Sequence, residues 1–325
     1  MRILVAGAGG FIGHHLVARL KAAGHWVRGA DLKRPEFAPT AADEFKLLDL
    51  RDYGNCCEAV RGVEWVFQLA ADMGGAGFVF TGDNDAAIIR NNTLINANMI
   101  EAPSASYVLR YLFTSSACVY PQYRQSEADS APLREADAYP ALPDSVYGWE
   151  KLHGEHLCAA YRRNAGLETR VARLHNVYGP LGAWTGGREK APAALCRKVA
   201  EAKLHGADHI DIWGDGQQVR SFLYVNDAVE GLLRLMESDV PTPLNLGSDR
   251  AVGIDALARI VMDAAGVSLR LEHTPGPEGV RTRNADISRA RDVLDWEPRV
   301  SLEDGIARTY AWVEAQVAAQ ARVTP

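Results

Sequence analysis

The chain has no run of basic residues, no uninterrupted apolar stretch of membrane-spanning length and no cysteine framework. Its 35 lysines and arginines against 41 acidic residues leave a net charge of −6, spread along the sequence. Nucleic-acid binding, which depends on neutralising phosphates, is therefore not expected, and an anionic ligand would have to be held by a few placed arginines. A membrane helix needs roughly 18 to 20 apolar residues in series, and none is found. The apolar opening Met1–Gly13 is too short and too rich in glycine to be a signal peptide. A soluble, cytoplasmic protein with no membrane partner is expected. The cysteines (Cys56, Cys57, Cys118, Cys158 and Cys196) are odd in number and scattered, with no C-x-x-C pair. That pattern suits a reducing compartment. His153, His156 and Cys158 share one short stretch without a second ligand cluster, so they read as a helix with solvent-facing histidines, and no metal site is expected.

Hydrophobic residues at 47% over 325 positions are ordinary for a soluble globular enzyme. Short β-rich runs at Arg2–Ala6, Trp26–Asp31, Val63–Leu69, Tyr111–Ser115 and Thr169–Leu174 alternate with helical periodicity, as in Phe11–Ala23, Asn91–Glu101 and Tyr147–Asn164. This βαβα order predicts an α/β fold, a Rossmann-type doubly wound parallel sheet. After Asn176 the pattern changes. Glycine-rich loops, a helix at Ala191–Ala202, a strand at Arg220–Tyr224, a helix at Asp227–Ser238 and a strand at Leu244–Leu246 suggest that the chain crosses repeatedly into a smaller, discontinuous α/β substrate domain. Gly276–Gly279 reads as an ordered loop, and a last amphipathic helix is expected near Leu302–Ala318.

The first strand runs into Gly7-Ala-Gly9-Gly10-Phe11-Ile12-Gly13, which opens a predicted helix. Glycines there permit a tight turn and let backbone N–H groups approach a pyrophosphate. Such a match alone fits any strand-to-helix turn. Here Asp31 ends the second strand 18 residues after Gly13, where a carboxylate can accept from ribose hydroxyls. A carboxylate repels a 2′-phosphate, so the cofactor expected is NAD; Lys33 and Arg34, just past the strand end, read as solvated. Asp49 and Leu50 are expected to bound the adenine pocket.

Ser116 ends a predicted strand, and Tyr147 and Lys151 are four apart, on one helical face. A lysine cation lowers a nearby phenol from about 10, and the hydroxyl of Ser116 can share a substrate proton. Together these groups deprotonate a carbinol while its hydride leaves for NAD. Two residues beyond Ser116 stands Cys118, which hydride transfer does not require.

With these residues the chain resembles the extended short-chain dehydrogenase/reductase family, the nucleotide-sugar epimerases and dehydratases. The resembling stretches are Ala70–Phe78, Ser115–Pro121, His175–Pro180, Gly186–Ala194, Trp213–Gly216, Arg220–Phe222 and Pro275–Arg281, and the resemblance as a whole extends over nearly the entire chain. The run Gly-Gly-Arg-Glu-Lys-Ala-Pro-Ala-Ala from Gly186 is far more specific than the triad. It resembles the branch whose epimerases invert C3 and C5 of a GDP-sugar.

The resemblance implies that Tyr147, Ser116 and Lys151 oxidise C4, with Cys118 and Lys190 as base and acid at the neighbouring carbons. A thiol of pKa about 8.5 serves if nearby positive charge favours its thiolate. A small buried hydrophobe is the competing reading of Cys118, and a solvated loop residue that of Lys190. Asn176, Arg220 and Arg281 match substrate positions, the arginines pairing with the diphosphate through their forked donors. Asp72, Gly74 and Gly75 approach the sugar or simply form a structural loop.

Residues 1–176 and about 225–248 would form the NAD-binding domain, and about 177–224 and 249–325 the nucleotide-sugar domain, in a homodimer. The resemblance also shows departures. Pro103 is expected to interrupt the helix that begins at Asn91, and Gln68 stands where relatives carry His or Asn, altering cofactor-side hydrogen bonding. A 4,6-dehydratase would need Asp and Glu after Ser116, where Ala117 and Cys118 stand. A simple 4-epimerase leaves Cys118 and Lys190 unexplained, and an NAD-binding sensor or scaffold would not need Tyr147 and Lys151 intact.

Overall fold

The computed structural model describes residues 1–127, 129–276 and 279–323; Pro277 and Glu278 of the Gly276–Gly279 loop lie outside them. Seven parallel strands form the central sheet: β1 (Arg2–Ala6), β2 (Trp26–Asp31), β3 (Glu44–Leu47), β4 (Trp65–Gln68), β5 (Arg110–Ser116), β6 (Glu168–Leu174) and β7 (Leu244–Leu246). Their spatial order is β7-β6-β5-β4-β1-β2-β3, the doubly wound Rossmann arrangement. Ile3, Leu4, Val5 and Ala6 are all fully buried, as expected of a strand covered by helices on both faces. β3 has no sequence signature because it is an edge strand with half-buried and exposed side chains.

The second half builds smaller sheets. Val219–Ser221 pairs antiparallel with Ala251–Gly253 and parallel with Thr282–Arg283, and His209–Trp213 pairs parallel with Arg270–Thr274. Helices Ala191–His205, Ile254–Ala265 and Leu302–Val323 pack together beside them. The single strand expected at Arg220–Tyr224 is broken at Phe222. Leu223–Tyr224 leaves its neighbours to pair with Val177–Tyr178.

The helix expected from Asn91 runs instead from Asp85 to Ser104. Pro103 does not interrupt it. The proline sits in the last turn, one residue before the helix ends; it cannot donate to the carbonyl four residues back, and the helix stops directly after it. Helix Val146–Ala165 is capped by Ser145, whose hydroxyl accepts from the backbone N–H of Gly148 at 3.2 Å, and it ends on Gly166 in the left-handed conformation. His153 and His156 face solvent on it.

A buried ion pair fixes that helix against the sheet. Arg173 Nη2 on β6 donates to Glu155 Oε2 at 2.7 Å, and Ser115 on β5 donates to Glu155 Oε1 at 2.6 Å. Removing one member of such a pair costs about 3–5 kcal/mol, because the other is left charged and buried. The ends of β5 and β6 are thereby tied to the middle of the helix. The candidate site stands there, at the carboxyl ends of the strands.

Candidate active site

Two adjoining cavities open at the carboxyl edge of the sheet. The first is bordered by Gly7, Gly9, Gly10, Phe11, Ile12 and Gly13, by Asp31 and Lys33, and by Ser116, Tyr147 and Lys151. A Cβ on Gly9 would lie 2.0 Å from the Lys33 carbonyl, and one on Gly13 2.1 Å from the Gly7 carbonyl, so only glycine permits this turn. Helix Phe11–Ala22 begins there with no side-chain cap and no acidic residue in its first turn, leaving its amides for an anion. Asp31 Oδ2 accepts from the Gly9 N–H at 2.9 Å and Oδ1 from the Lys33 N–H at 3.2 Å. Burial raises the Asp31 carboxyl, while these two N–H groups and that of Leu32 oppose the rise. The cavity thus combines a pyrophosphate cradle with a carboxylate at its far end, which fits NAD.

The second cavity is bordered by Gly74, Gly75, Ser116, Cys118, Tyr147, Asn176, Lys190, Arg220 and Arg283, and extends past Lys198 to Trp213. Met73, Gly74, Ser116, Tyr147, Leu174 and Lys190 border both. Tyr147 and Lys151 lie on the buried face of helix Val146–Ala165, with Lys151 Nζ 5.5 Å from the Tyr147 ring centre. The expected lowering of the phenol is not what the protein shows. Burial raises Tyr147 well above 10, the charges of Glu150 and Cys118 add to it, and only the Ser116 hydroxyl opposes. Burial lowers Lys151, against the pull of Glu150, Cys118 and Cys158.

Cys118 stands on the 3-10 turn Ala117–Val119 that follows β5, its backbone N–H donating to Ser116 Oγ at 3.1 Å. Arg283, nearly buried, donates from Nη1 to the Cys118 sulfur at 3.2 Å, from Nε to Gln125 Oε1 at 2.7 Å, and from Nη2 to Asp144. Lys190 is the residue just before helix Ala191–His205. Burial lowers its ammonium, Cys118 opposes, and Arg283 adds to the lowering. A lysine ammonium lowered from its ordinary value gives up its proton more readily.

The loop carrying Lys190 is stitched to the loop after β4. Gly75 N–H donates to the Arg188 carbonyl at 3.0 Å, and Arg188 Nη1 reaches Asp72 Oδ1 at 3.1 Å. The Arg188 guanidinium also lies 3.9 Å over the Phe78 ring. A Cβ on Gly75 would sit 2.1 Å from the Glu189 carbonyl, so this contact needs glycine. Asp72 is thus a partner of Arg188 in the loop contact.

Asn176 Nδ2 donates to the Ser221 carbonyl at 3.0 Å, and Arg220 donates to the carbonyls of Val219 and Arg281 at 2.8 and 3.1 Å. Burial lowers Arg220 to about 10, still charged at neutral pH. Arg281 is not among the residues bordering the cavity; its guanidinium pairs with Asp215 at 2.8 Å. Asp49 and Leu50 likewise do not border the cofactor cavity. Asp49 pairs with Arg51 at 2.6 Å, and Leu50 is buried.

Sequence reasoning missed Arg283. It stands two residues past Arg281, and only the pairing of Thr282–Arg283 with Val219–Ser221 brings it to a thiol 165 positions away. Gln68 was expected to alter hydrogen bonding on the cofactor side. It donates instead to the Ala70 carbonyl and to Asn96, deeper in the protein. Among the described residues one His/Asp/Glu group, His209, Asp211 and Glu272, has ligand atoms within 4.8 Å of one another. His209 is engaged by Asp208 and Glu272 by Arg270, so it reads as a surface charge network.

The model of the NAD dependent epimerase/dehydratase family matches residues 3–247. Over 319 residues the chain is 45% identical to a GDP-mannose 3,5-epimerase of Arabidopsis thaliana, covering 98% of this chain and 83% of that protein. It is 46% identical to GDP-mannose 3,5-epimerase 1 of Oryza sativa subsp. japonica, covering 98% and 82%. Among solved structures, UDP-glucose 4-epimerase of Thermotoga maritima with UDP-glucose superposes with a TM-score of 0.85 at 26% identity, over 98% of this chain and 100% of that one. UDP-glucuronic acid 4-epimerase of Bacillus cereus, in complex with UDP-glucuronic acid and NAD, gives 0.81 at 26% identity, over 97% and 100%. With a glycine turn and carboxylate that fit NAD and a Ser/Tyr/Lys set between two cavities, the chain belongs to the NAD dependent epimerase/dehydratase family.

Proposed function

We propose that the protein is a GDP-mannose 3,5-epimerase, forming GDP-L-galactose, GDP-L-gulose or both. One observation carries the reading. Ser116, Tyr147 and Lys190 border both cavities and Cys118 the substrate side alone, and oxidation at C4 needs neither Cys118 nor Lys190. The near full-length likeness to GDP-mannose 3,5-epimerases supports the same substrate.

NAD would be held by the glycine turn, Asp31, Tyr147 and Lys151, and would supply a positively charged nicotinamide as a reversible hydride acceptor for C4. Tyr147 would take the C4 hydroxyl proton as its phenolate, with Ser116 hydrogen-bonded to the same oxygen. Burial opposes that form, and the charge of Lys151, 5.5 Å from the ring centre, and a positively charged nicotinamide would favour it. The C4 ketone acidifies the C–H bonds at C3 and C5, since loss of either proton gives an enolate. Cys118 takes that proton, its sulfur held by Arg283, and Lys190 delivers one to the opposite face. Inversion needs both faces served, so two groups are required where a simple 4-epimerase needs neither. Asn176 and Arg220 hold the substrate, and Gly74 and Gly75 let it approach the backbone. Arg281 would reach the diphosphate only by leaving Asp215. Asp49 and Leu50 would shape the adenine end of the cofactor site from behind its border.

In this reading residues 1–176 and about 225–248 bind NAD, and about 177–224 and 249–325 bind the nucleotide sugar. The five unpaired thiols support a cytoplasmic location. A homodimer is supported by apolar side chains left exposed on two packed helices, Ile89 and Leu94 on one and Trp149 on the other. Light scattering should return twice the chain mass; a monomer at micromolar concentration overturns the dimer. The activity is tested by incubating the protein with GDP-mannose in heavy water and following the sugar ring by NMR. Deuterium is expected at C5 and C3, and deuterium at neither position overturns the assignment.

A further inference from the structure

Behind Lys151 lies a carboxylate that the steps above do not use. Glu150 follows Tyr147 by three positions, so it shares the buried face of helix Val146–Ala165, and it is 2% exposed. Its Oε1 accepts from Asn96 Nδ2 at 2.7 Å, and Asn96 Oδ1 accepts from Gln68 Nε2 at 3.2 Å. Lys151 Nζ stands 3.9 Å from the same Oε1. Asn92 lies alongside, but its amide is engaged by the Asp72 backbone at 2.6 and 3.1 Å. Glu150 Oε2 is buried without a hydrogen-bond partner.

This surrounding suits an anion. The groups reaching Oε1 are donors, an amide and an ammonium, which a carboxylate satisfies and a carboxyl O–H does not. A buried ammonium, for its part, needs a partner charge or it loses its proton. Among the described residues the charges acting on Lys151 are those of Glu150, Cys118 and Cys158; the Phe113 ring, 4.8 Å from Nζ, adds only its π-face. Glu150 is the one carboxylate in that set, and Tyr147 also feels its charge.

We propose that Glu150 is a positioning residue, the fixed counter-ion of Lys151, and that it sets the pH range in which Tyr147 and Lys151 work as a pair. The consequence for activity rests on the reading of those two residues as the C4 oxidation pair; the charge pairing does not. Burial raises the Glu150 carboxyl, with Lys151, Asn96 and Asn92 opposing, and lowers Lys151, with Glu150 first among the opposing charges. Removing the anion therefore moves both Lys151 and Tyr147 to lower pH.

Glu150→Gln keeps an acceptor for Asn96 and removes the charge. NMR titration of the Lys151 Nζ in 15N-lysine-labelled protein, assigned with Lys151→Met, should find it deprotonating about one pH unit or more lower than in the wild type. Glu150→Asp, which retains the charge, should leave that titration close to the wild type. Formation of the 4-keto sugar should shift likewise, both limbs of its pH profile moving to acid. An unchanged Lys151 titration in E150Q overturns the proposal even if the sugar is oxidised normally. A shifted titration with no sugar oxidation at any pH leaves the ion pair standing and removes the C4 reading instead. A 13C titration of the Glu150 carboxyl in the wild-type protein needs no variant to fold. A neutral Glu150 at pH 7 overturns the proposal directly.

Discussion

Replacing Cys118 with alanine should lower solvent-deuterium wash-in at C5 of the sugar by about 10²–10⁴-fold, the range that a positioned acid or base contributes. The 4-keto sugar, detected by mass spectrometry after acid quench, should still form, because nothing that acts on the C4 hydroxyl has been touched. The reason lies in the division of the site. The sulfur borders only the substrate cavity and is held by Arg283, whereas Ser116 and Tyr147 stand where both cavities meet. Alanine leaves the 3-10 turn intact, since the backbone N–H at this position, and not the thiol, bonds Ser116. Wild-type exchange in the variant would show that another group takes the proton and would end the reading of this cysteine as a base.

Tyr147→Phe should fail at an earlier point. Loss of the phenol removes the acceptor for the C4 hydroxyl proton, so ketone formation should fall by about 10²–10⁴-fold, and exchange at C5 and C3 should fall with it. Without the ketone, the hydrogens on those carbons are not acidic, however well Cys118 and Lys190 are placed. The ring packs with Val79 and Ile88, and phenylalanine keeps that packing, so folding should change little. Ketone formed at the wild-type rate would remove Tyr147 from the chemistry. The two variants together separate oxidation from epimerisation: one loses exchange alone, the other loses both.

Much of this arrangement was legible in the sequence, because its chemistry is carried by local patterns. β1, the glycine turn and the following helix are contiguous, and so are Tyr147 and Lys151 on one helical face, and each part announces itself by spacing. The edge strand β3 carried no alternation to read, since it is not buried on one face. Pro103 misled because it marks the end of the helix, one residue before Ser104, and not a break within it. The pKa expectation for Tyr147 failed for a different reason. A pattern of residues names the neighbouring lysine but not the loss of solvent, and here desolvation outweighs the charge. Arg283 and the chain from Gln68 through Asn96 to Glu150 were hidden because each depends on residues brought together across long separations in the chain, which no local period encodes.

The stitch between the two loops bears on how such a site could be rebuilt elsewhere. Lys190 is held in place partly by the fit of Glu189 against Gly75, a residue more than a hundred positions earlier in the loop after β4. The run from Gly186 to Ala194 is therefore not a portable cassette. Grafted into a related scaffold with any side chain at the position of Gly75, it would bring the lysine but not its seat. A designer wishing to move the second proton donor would have to move both loops as one part.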